Sequence, residues 1–165
     1  MSGKVPAAHV AADPLRAEAV GEAPRVTDYY AWSQEQAAHI RAGRFDQVDL
    51  LNVADEIEDV GKSEKRELRS NLENVLVHIL KWEHQPQRRS RSWALSIAEH
   101  RRRVLDNLAD NPSLAGDWDE MVSGAYKLAR LRAARETNLS LDRLADECPY
   151  DRQAIMDAVF EIDES

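Results

Sequence analysis

The segment EKRELRSNLENVLVHILKWEH, residues 64–84, decides the fold class of this chain. Its apolar residues recur at intervals of three and four, which is the period of one face of an α-helix. The residues of this stripe are Leu68, Leu72, Val75, Leu76, Ile79 and Leu80. Pro86 cannot continue a helix, because it lacks a backbone N–H. The pattern therefore predicts a long amphipathic helix that ends close to His84.

Helical patterns also lie on both sides of this segment. We expect a helix over about 28–42 that Gly43 closes, and another that begins at Asp46 and ends at Gly61. After Pro86, the predicted helices cover about 90–109 and 114–136, with short ones after Ser140 and Asp151. No segment shows the repeated polar and apolar alternation of a half-buried strand. The sequence therefore predicts an all-α fold, an up-and-down helical bundle of about five main helices with a small helical C-terminal attachment.

Length and composition set the domain organisation. The 165 residues are 43% hydrophobic and 32% charged, which is typical of one soluble globular domain. Residues 1–26 contain three prolines among small residues and show no apolar period, so they predict a mobile tail. We therefore expect a single helical domain over 27–165.

Charge and cysteine content restrict the setting and the partners. The formal net charge of -8 argues against nucleic acid, which proteins bind through a basic surface. The N-terminal region has no continuous apolar segment that would direct export or cross a membrane. Cys148 is the single cysteine, so no internal disulfide can form. We therefore expect a cytoplasmic protein without a membrane partner.

Four sequence motifs occur in order within residues 28–160: DYYAWSQEQAAHIRAGRFDQVDLLNVADEIEDVGKSEKREL, HILKWEHQPQRRSRSWALSIAEHRRRV, NPSL and ECPY. Together they resemble the bacterial domain-of-unknown-function family 29. The resemblance implies an all-helical domain in a bacterial cell. It implies no reaction, cofactor or catalytic residue.

Two segments carry opposite charge. Residues 46–67 hold eight acidic and three basic side chains, whereas residues 81–103 hold seven basic and two acidic ones. One interpretation is that the two segments pair inside the protein. The other is an anion-binding site at a helix start, where free N–H groups and forked guanidinium donors meet. The residues of this candidate site are Arg88, Arg89, Ser90, Arg91 and Ser92.

Arg101 falls within the apolar stripe of the helix over about 90–109. A buried guanidinium needs a carboxylate or several carbonyls as partners, because an unpaired buried charge is too costly. Glu56 and Glu58 flank the inner face of the helix that begins at Asp46. We expect one of them to be the counterion of Arg101.

A polar edge runs beside the apolar stripe of residues 64–84, and it could line a pocket with Glu56, Glu58 and Arg101. Its residues are Asn71, Asn74, His78 and Lys81. Histidine titrates near neutral pH, so His78 is a candidate general acid or base. The simpler interpretation is a histidine hydrogen-bonded at a helix boundary.

The sequence contains no motif typical of metal binding, cofactor binding or nucleophilic catalysis. Paired metals in helical bundles require Glu-x-x-His motifs, and no histidine here has a glutamate three residues before it. No phosphate-binding glycine loop and no nucleophile motif occurs either. We therefore expect no metal and no cofactor.

Two functions remain open at this point. The first is a non-catalytic helical interaction or assembly module of a bacterial cytoplasmic protein, which binds another protein or itself. The second is a small-anion or nucleotide-binding domain, with or without catalysis, centred on the arginine cluster 88–91 with His78 and Glu56 or Glu58.

Overall fold

The computed structural model describes residues 27–161, and this part of the chain is all-α without a strand. Its five α-helices are α1 (Tyr29–Arg41), α2 (Leu50–His84), α3 (Arg91–Asp110), α4 (Trp118–Thr137) and α5 (Arg152–Asp157). Short 3-10 turns lie between consecutive helices. The predicted fold class is confirmed, whereas the predicted tail over 1–26 lies outside the described residues.

The described residues fall into two compact units, the first ending at Glu56 and the second beginning at Ile57. In the first unit, α1 begins where the Asp28 carboxylate accepts the Ala31 N–H at 3.0 Å. It is closed by Gly43, whose φ of 70° lies in the left-handed region that glycine adopts without strain. The predicted closure at Gly43 is confirmed.

The start of α2 differs from the prediction. Asp46 lies in a 3-10 turn, Phe45–Gln47, and does not cap the helix. Asp49 takes that role, because its carboxylate accepts the Asn52 N–H at 3.3 Å. Both aspartates precede the same apolar run, and the intervening 3-10 turn moves the helix start by a few residues.

Gly61 does not interrupt α2, so the prediction of two helices separated at this residue is wrong. A glycine inside a helix costs about 1 kcal/mol relative to alanine, but it keeps the N–H that the helix needs. Lys62 also pairs with Glu58 at 3.5 Å and with Asp59 at 2.8 Å, and these contacts bridge the glycine. The helix therefore continues for 35 residues.

In the second unit, α2 and α3 run antiparallel. Glu64, in the first half of α2, accepts hydrogen bonds from Asn107 at 3.2 Å and from Asn111 at 3.0 Å, at the end of α3. Farther along α2, Asn71 contacts His100 in the middle of α3 at 2.9 Å. This arrangement follows from the short connection after Pro86.

By contrast, α4 runs parallel to α2. Lys65 of α2 contacts Asp117, just before α4, at 3.0 Å, and Lys81 contacts Glu136, in the last turn of α4, at 2.8 Å. The three helices α2, α3 and α4 therefore form an up-down-up bundle. No helix in the described residues is long and apolar enough to cross a membrane.

The core of this bundle begins at Leu68 and contains the apolar stripe of α2 that the sequence predicted. The largest fully buried side chains include Tyr126 of α4, Ile97 of α3 and Ile155 of α5. The small C-terminal attachment is α5, whereas the helix predicted after Ser140 is one 3-10 turn, Leu141–Arg143. Residues 145–149 contain Pro149 and adopt no helix.

Candidate functional site

The predicted polar edge of α2 contacts both neighbouring helices. The Asn71 amide donates to the Glu67 carbonyl at 3.1 Å, so its own oxygen is free to accept a hydrogen from His100 Nδ1 at 2.9 Å. Asn74 donates to the Ser70 carbonyl and accepts from the Arg132 guanidinium at 2.8 Å. Both amides are therefore used in joining helices.

Lys81 lies at the far end of this edge in a half-buried ion network. Its ammonium contacts Glu136 at 2.8 Å and lies 4.8 Å from the centre of the Trp93 ring. Glu136 also accepts from Arg132 at 3.0 Å. Burial by itself would raise the pKa of Glu136, but the hydrogen bonds from Lys81 and Arg132 lower it overall. Glu136 therefore stays ionised at neutral pH.

His78 lies in the same region and makes no hydrogen bond through Nδ1, which is buried and has no partner among the described residues. Burial, together with a smaller effect of the positive charge of Lys81, lowers the pKa of His78 to about 4. The ring is neutral at pH 7. It is also a weak base, because a proton on this ring would be poorly solvated, so it does not suit acid or base catalysis near neutral pH.

The remaining residues of the predicted polar pocket do not join this cluster. Glu58 is exposed and pairs with Lys62. Arg101 donates to three backbone carbonyls at the end of α5, at 2.6 Å to Ile155, 2.6 Å to Ala158 and 3.2 Å to Ala154. The prediction that Glu56 or Glu58 is the counterion of Arg101 is therefore wrong. Carbonyls satisfy the guanidinium, because the last turn of a helix leaves them without partners.

His100, Arg132 and Glu136 belong to the cluster but were missed by the sequence analysis. The sequence signal for Arg132 and Glu136 is weak, since they form an ordinary i,i+4 pair on one helix. Only the packing of α4 beside α2 shows that this pair faces Lys81. In sum, the cluster joins three helices, and each charged member has a partner within it.

The segment 88–92 begins α3 as predicted. Ser90 caps the helix, because its hydroxyl accepts the Trp93 N–H at 3.4 Å. Arg89 donates to the Trp82 carbonyl at 2.9 Å, and its guanidinium lies 5.3 Å from the centre of the Trp82 ring. Arg88, Arg91 and Ser92 are exposed.

Within residues 27–161, no carboxylate lies within 4.0 Å of Arg88, Arg89 or Arg91. The predicted pairing of these arginines with the acidic segment 46–67 is therefore wrong. Arg89 is satisfied by a carbonyl and an aromatic ring, while the other two guanidiniums extend into solvent. The segment is a helix start with two unpaired arginines.

Cys148 is half-buried in the loop before α5. Burial raises the pKa of its thiol, which donates to the Tyr150 carbonyl at 3.7 Å. A thiol that remains protonated is a weak nucleophile, so this site does not suit covalent catalysis. Across residues 27–161, no group of three or more His, Cys, Asp or Glu side chains is arranged to hold a metal ion.

A hydrophobic surface is the most prominent feature of the first unit. Within residues 27–56, the one buried side chain is the polar Gln36, whose amide oxygen accepts the Asp49 N–H at 2.8 Å. Six large apolar side chains in this range are between 43% and 78% exposed, and we call them the hairpin surface: Tyr29, Tyr30, Ile40, Phe45, Leu50 and Leu51. The described part of this unit therefore exposes six large apolar residues, while Trp32 is half-buried.

Comparison with known proteins gives one match. No curated protein and no solved structure is significantly similar to the chain. The family described as Domain of unknown function DUF29 matches residues 26–161, which is most of the chain and includes every described helix. The chain therefore belongs to the DUF29 family.

Proposed function

We propose that this chain is a non-catalytic helical assembly module, and that two copies associate through the hairpin surface. One observation carries the proposal: residues 27–56 expose six large apolar side chains, and no apolar side chain in this range is fully buried. Exposed apolar side chains scattered singly are normal on protein surfaces. Six within 30 residues of one unit form a concentration of the kind that marks a binding surface.

The size of the hairpin surface suits a second copy. At roughly 100 Å² for each large side chain, six would bury on the order of 600 Å² per copy, close to the lower end of stable protein interfaces. A symmetric dimer uses the same surface on both subunits, so one apolar surface is sufficient. Two helical hairpins packed face to face would enclose a four-helix core.

The charge of residues 27–56 adds a testable property. Residues 27–56 contain six carboxylates and two arginines. Asp28 and Asp49 keep their negative charge while they cap helices. Because carboxylates outnumber arginines in this range, two copies would repel each other in a dimer, and salt screens such repulsion. We therefore expect the dimer to become tighter as the salt concentration rises.

Within residues 27–161, the properties of His78 and Cys148 support the non-catalytic part of the proposal. His78 is neutral and a weak base at pH 7, and the thiol of Cys148 is protonated. We also infer a bacterial cytoplasmic setting, because a sequence with one cysteine suits a reducing compartment.

Sedimentation equilibrium of the full chain tests the proposal. The wild-type protein should show a concentration-dependent mass that approaches twice 18.7 kDa. The double variant Phe45→Glu/Leu50→Glu should stay monomeric, because charges buried in an apolar interface are strongly unfavourable. In the control Leu105→Glu/Leu131→Glu, two leucines of the second unit with similar exposure, 52% and 55%, are replaced, and dimerisation should persist. A wild-type protein that is monomeric from micromolar to near-millimolar concentration overturns the proposal.

A further inference from the structure

A groove between α2 and α4 collects positive charge in this acidic protein. It encloses about 480 Å³ and lies entirely in the second unit. Five cationic side chains line it, together with one carboxylate: Lys62, Lys65, Arg66, Arg69, Lys127 and Glu120. The helix spacing explains the cluster, since residues 62, 66 and 69 are four and three positions apart and share one face of α2.

Three of these cations lack a carboxylate partner. Lys65 is neutralised by Asp117 at 3.0 Å and Glu120 at 3.2 Å, and Lys62 pairs with two carboxylates of its own helix. In the described part of the chain, Arg66, Arg69 and Lys127 form no salt bridge within 4.0 Å. Three positive charges in one groove therefore form no ion pair, although Asp59 is near enough to Arg66 for the guanidinium to lower the pKa of its carboxyl.

The wall that α4 contributes is open and polar enough for a ligand. Gly124 has no side chain, and a Cβ atom at this position would lie 3.5 Å from Cδ of Arg69. A larger side chain at 124 would therefore fill the space above the stem of Arg69. Ser123, next to it, adds an exposed hydroxyl that can donate a hydrogen bond.

We propose that this groove binds a compact anion with several phosphate groups, such as an inorganic triphosphate or the polyphosphate part of a small metabolite. Guanidinium groups form paired hydrogen bonds with phosphate oxygens, and three unpaired cations match an anion of three or more charges. None of the residues that line the groove is aromatic, so a nucleobase would have no ring to stack on.

Calorimetric titration of the full chain with inorganic triphosphate tests this proposal. Binding should be measurable at moderate salt, and the Arg66→Gln/Arg69→Gln variant should bind at least about tenfold more weakly, because hydrogen bonds to charged groups are among the strongest in proteins. The matched control is Arg88→Gln/Arg91→Gln, which removes two unpaired arginines at the start of α3. The control has the same net charge as the test variant, and it should bind like the wild type.

The amide NMR signals of Ser123 and Gly124 should shift during the same titration. A parallel titration with ATP distinguishes the sources of the phosphate. Equal affinity for ATP and triphosphate means that only the phosphates are recognised, whereas markedly weaker ATP binding means that the groove admits a free polyphosphate but not its nucleoside ester.

Three results would overturn the proposal. The first is an absence of binding by the wild-type chain. The second is equal weakening in the test and control variants, which would reveal attraction to charge in general. The third is a loss of binding in the control alone, which would locate the anion at the start of α3. None of these depends on dimerisation, since the hairpin surface and the groove share no residue.

Discussion

At the scale of single residues, burial decides the protonation state of His78. Its ring has an ordinary pKa of 6.5 that falls to about 4 in the folded chain, where Lys81, Arg132 and His100 oppose a proton and Glu136 favours one. Because the unfolded chain takes up the proton first, stability is complete above pH 6.5 and declines as the pH falls towards 4.

We expect His78→Asn to make this decline shallower. Asparagine cannot take up a proton, so the variant should lose roughly 1–2 kcal/mol less than the wild type between pH 7 and pH 4.5, a value reduced for the partial exposure of the ring. Urea unfolding at the two pH values measures the difference. Equal losses in the two proteins would contradict the assigned pKa, as would an NMR titration of the His78 ring with a midpoint near 6.5.

Part of the candidate site could be predicted from the sequence. Asn71, Asn74, His78 and Lys81 follow from helical spacing, because their positions relative to the apolar stripe are fixed within one helix. The partners of Arg101 could not be predicted from spacing. Both a carboxylate and several carbonyls would satisfy a guanidinium, and the choice depends on how α5 packs against α3. Sequence therefore predicts which side chains need partners, while tertiary structure selects the partners.

At the scale of elements, Gly43 and Gly61 differ in backbone conformation. Replacing each of them therefore tests a different effect of glycine on the helices. Gly61 lies inside α2, and a Cβ atom there would have no other atom within 4 Å. We expect Gly61→Ala to raise the free energy of unfolding by about 0.5–1 kcal/mol, because alanine restricts the unfolded chain and favours the helix. Chemical denaturation monitored by circular dichroism measures this change.

Gly43→Ala is the matched control, because Gly43 also has open space around its Cα but has a φ of +70°. An alanine is strained in this conformation, so we expect a destabilisation of about 1 kcal/mol. Opposite signs for the two variants support a continuous α2. A destabilisation by Gly61→Ala would indicate a break in the helix at residue 61.

The same comparison explains which helix boundaries the sequence could predict. Ser90 and Pro86 determine boundaries through local chemistry, since one supplies a cap and the other removes a donor. The boundary predicted at Gly61 relied on propensity alone, and the ion pairs of Lys62 with Glu58 and Asp59 offset part of that small cost. A residue predicts a helix boundary well where it adds or removes a hydrogen bond. It predicts a boundary less well where it only changes the helix propensity.

At the scale of the whole molecule, the two units differ in how they bury apolar surface. The buried core extends from Leu68 to Ile155 and belongs to the second unit. In the first unit, residues 27–56 bury only Gln36. A 30-residue helical segment with few buried apolar contacts has little stability of its own. We therefore expect local opening of α1 to cost much less free energy than opening of the bundle.

Native-state hydrogen exchange measures both free energies in one experiment. In dilute protein, the amides of α1 should exchange several hundredfold faster than those of residues 72–80, because a difference of about 3–4 kcal/mol in opening free energy corresponds to that factor. Raising the protein concentration should slow exchange in α1 and leave residues 72–80 unchanged, since a dimer formed through the hairpin surface protects only the segments that it covers. In the Phe45→Glu/Leu50→Glu variant, exchange in α1 should not depend on concentration. Equal protection of α1 and α2 in dilute wild-type protein would contradict the unequal stability, and slowing in the variant would show that another surface mediates association.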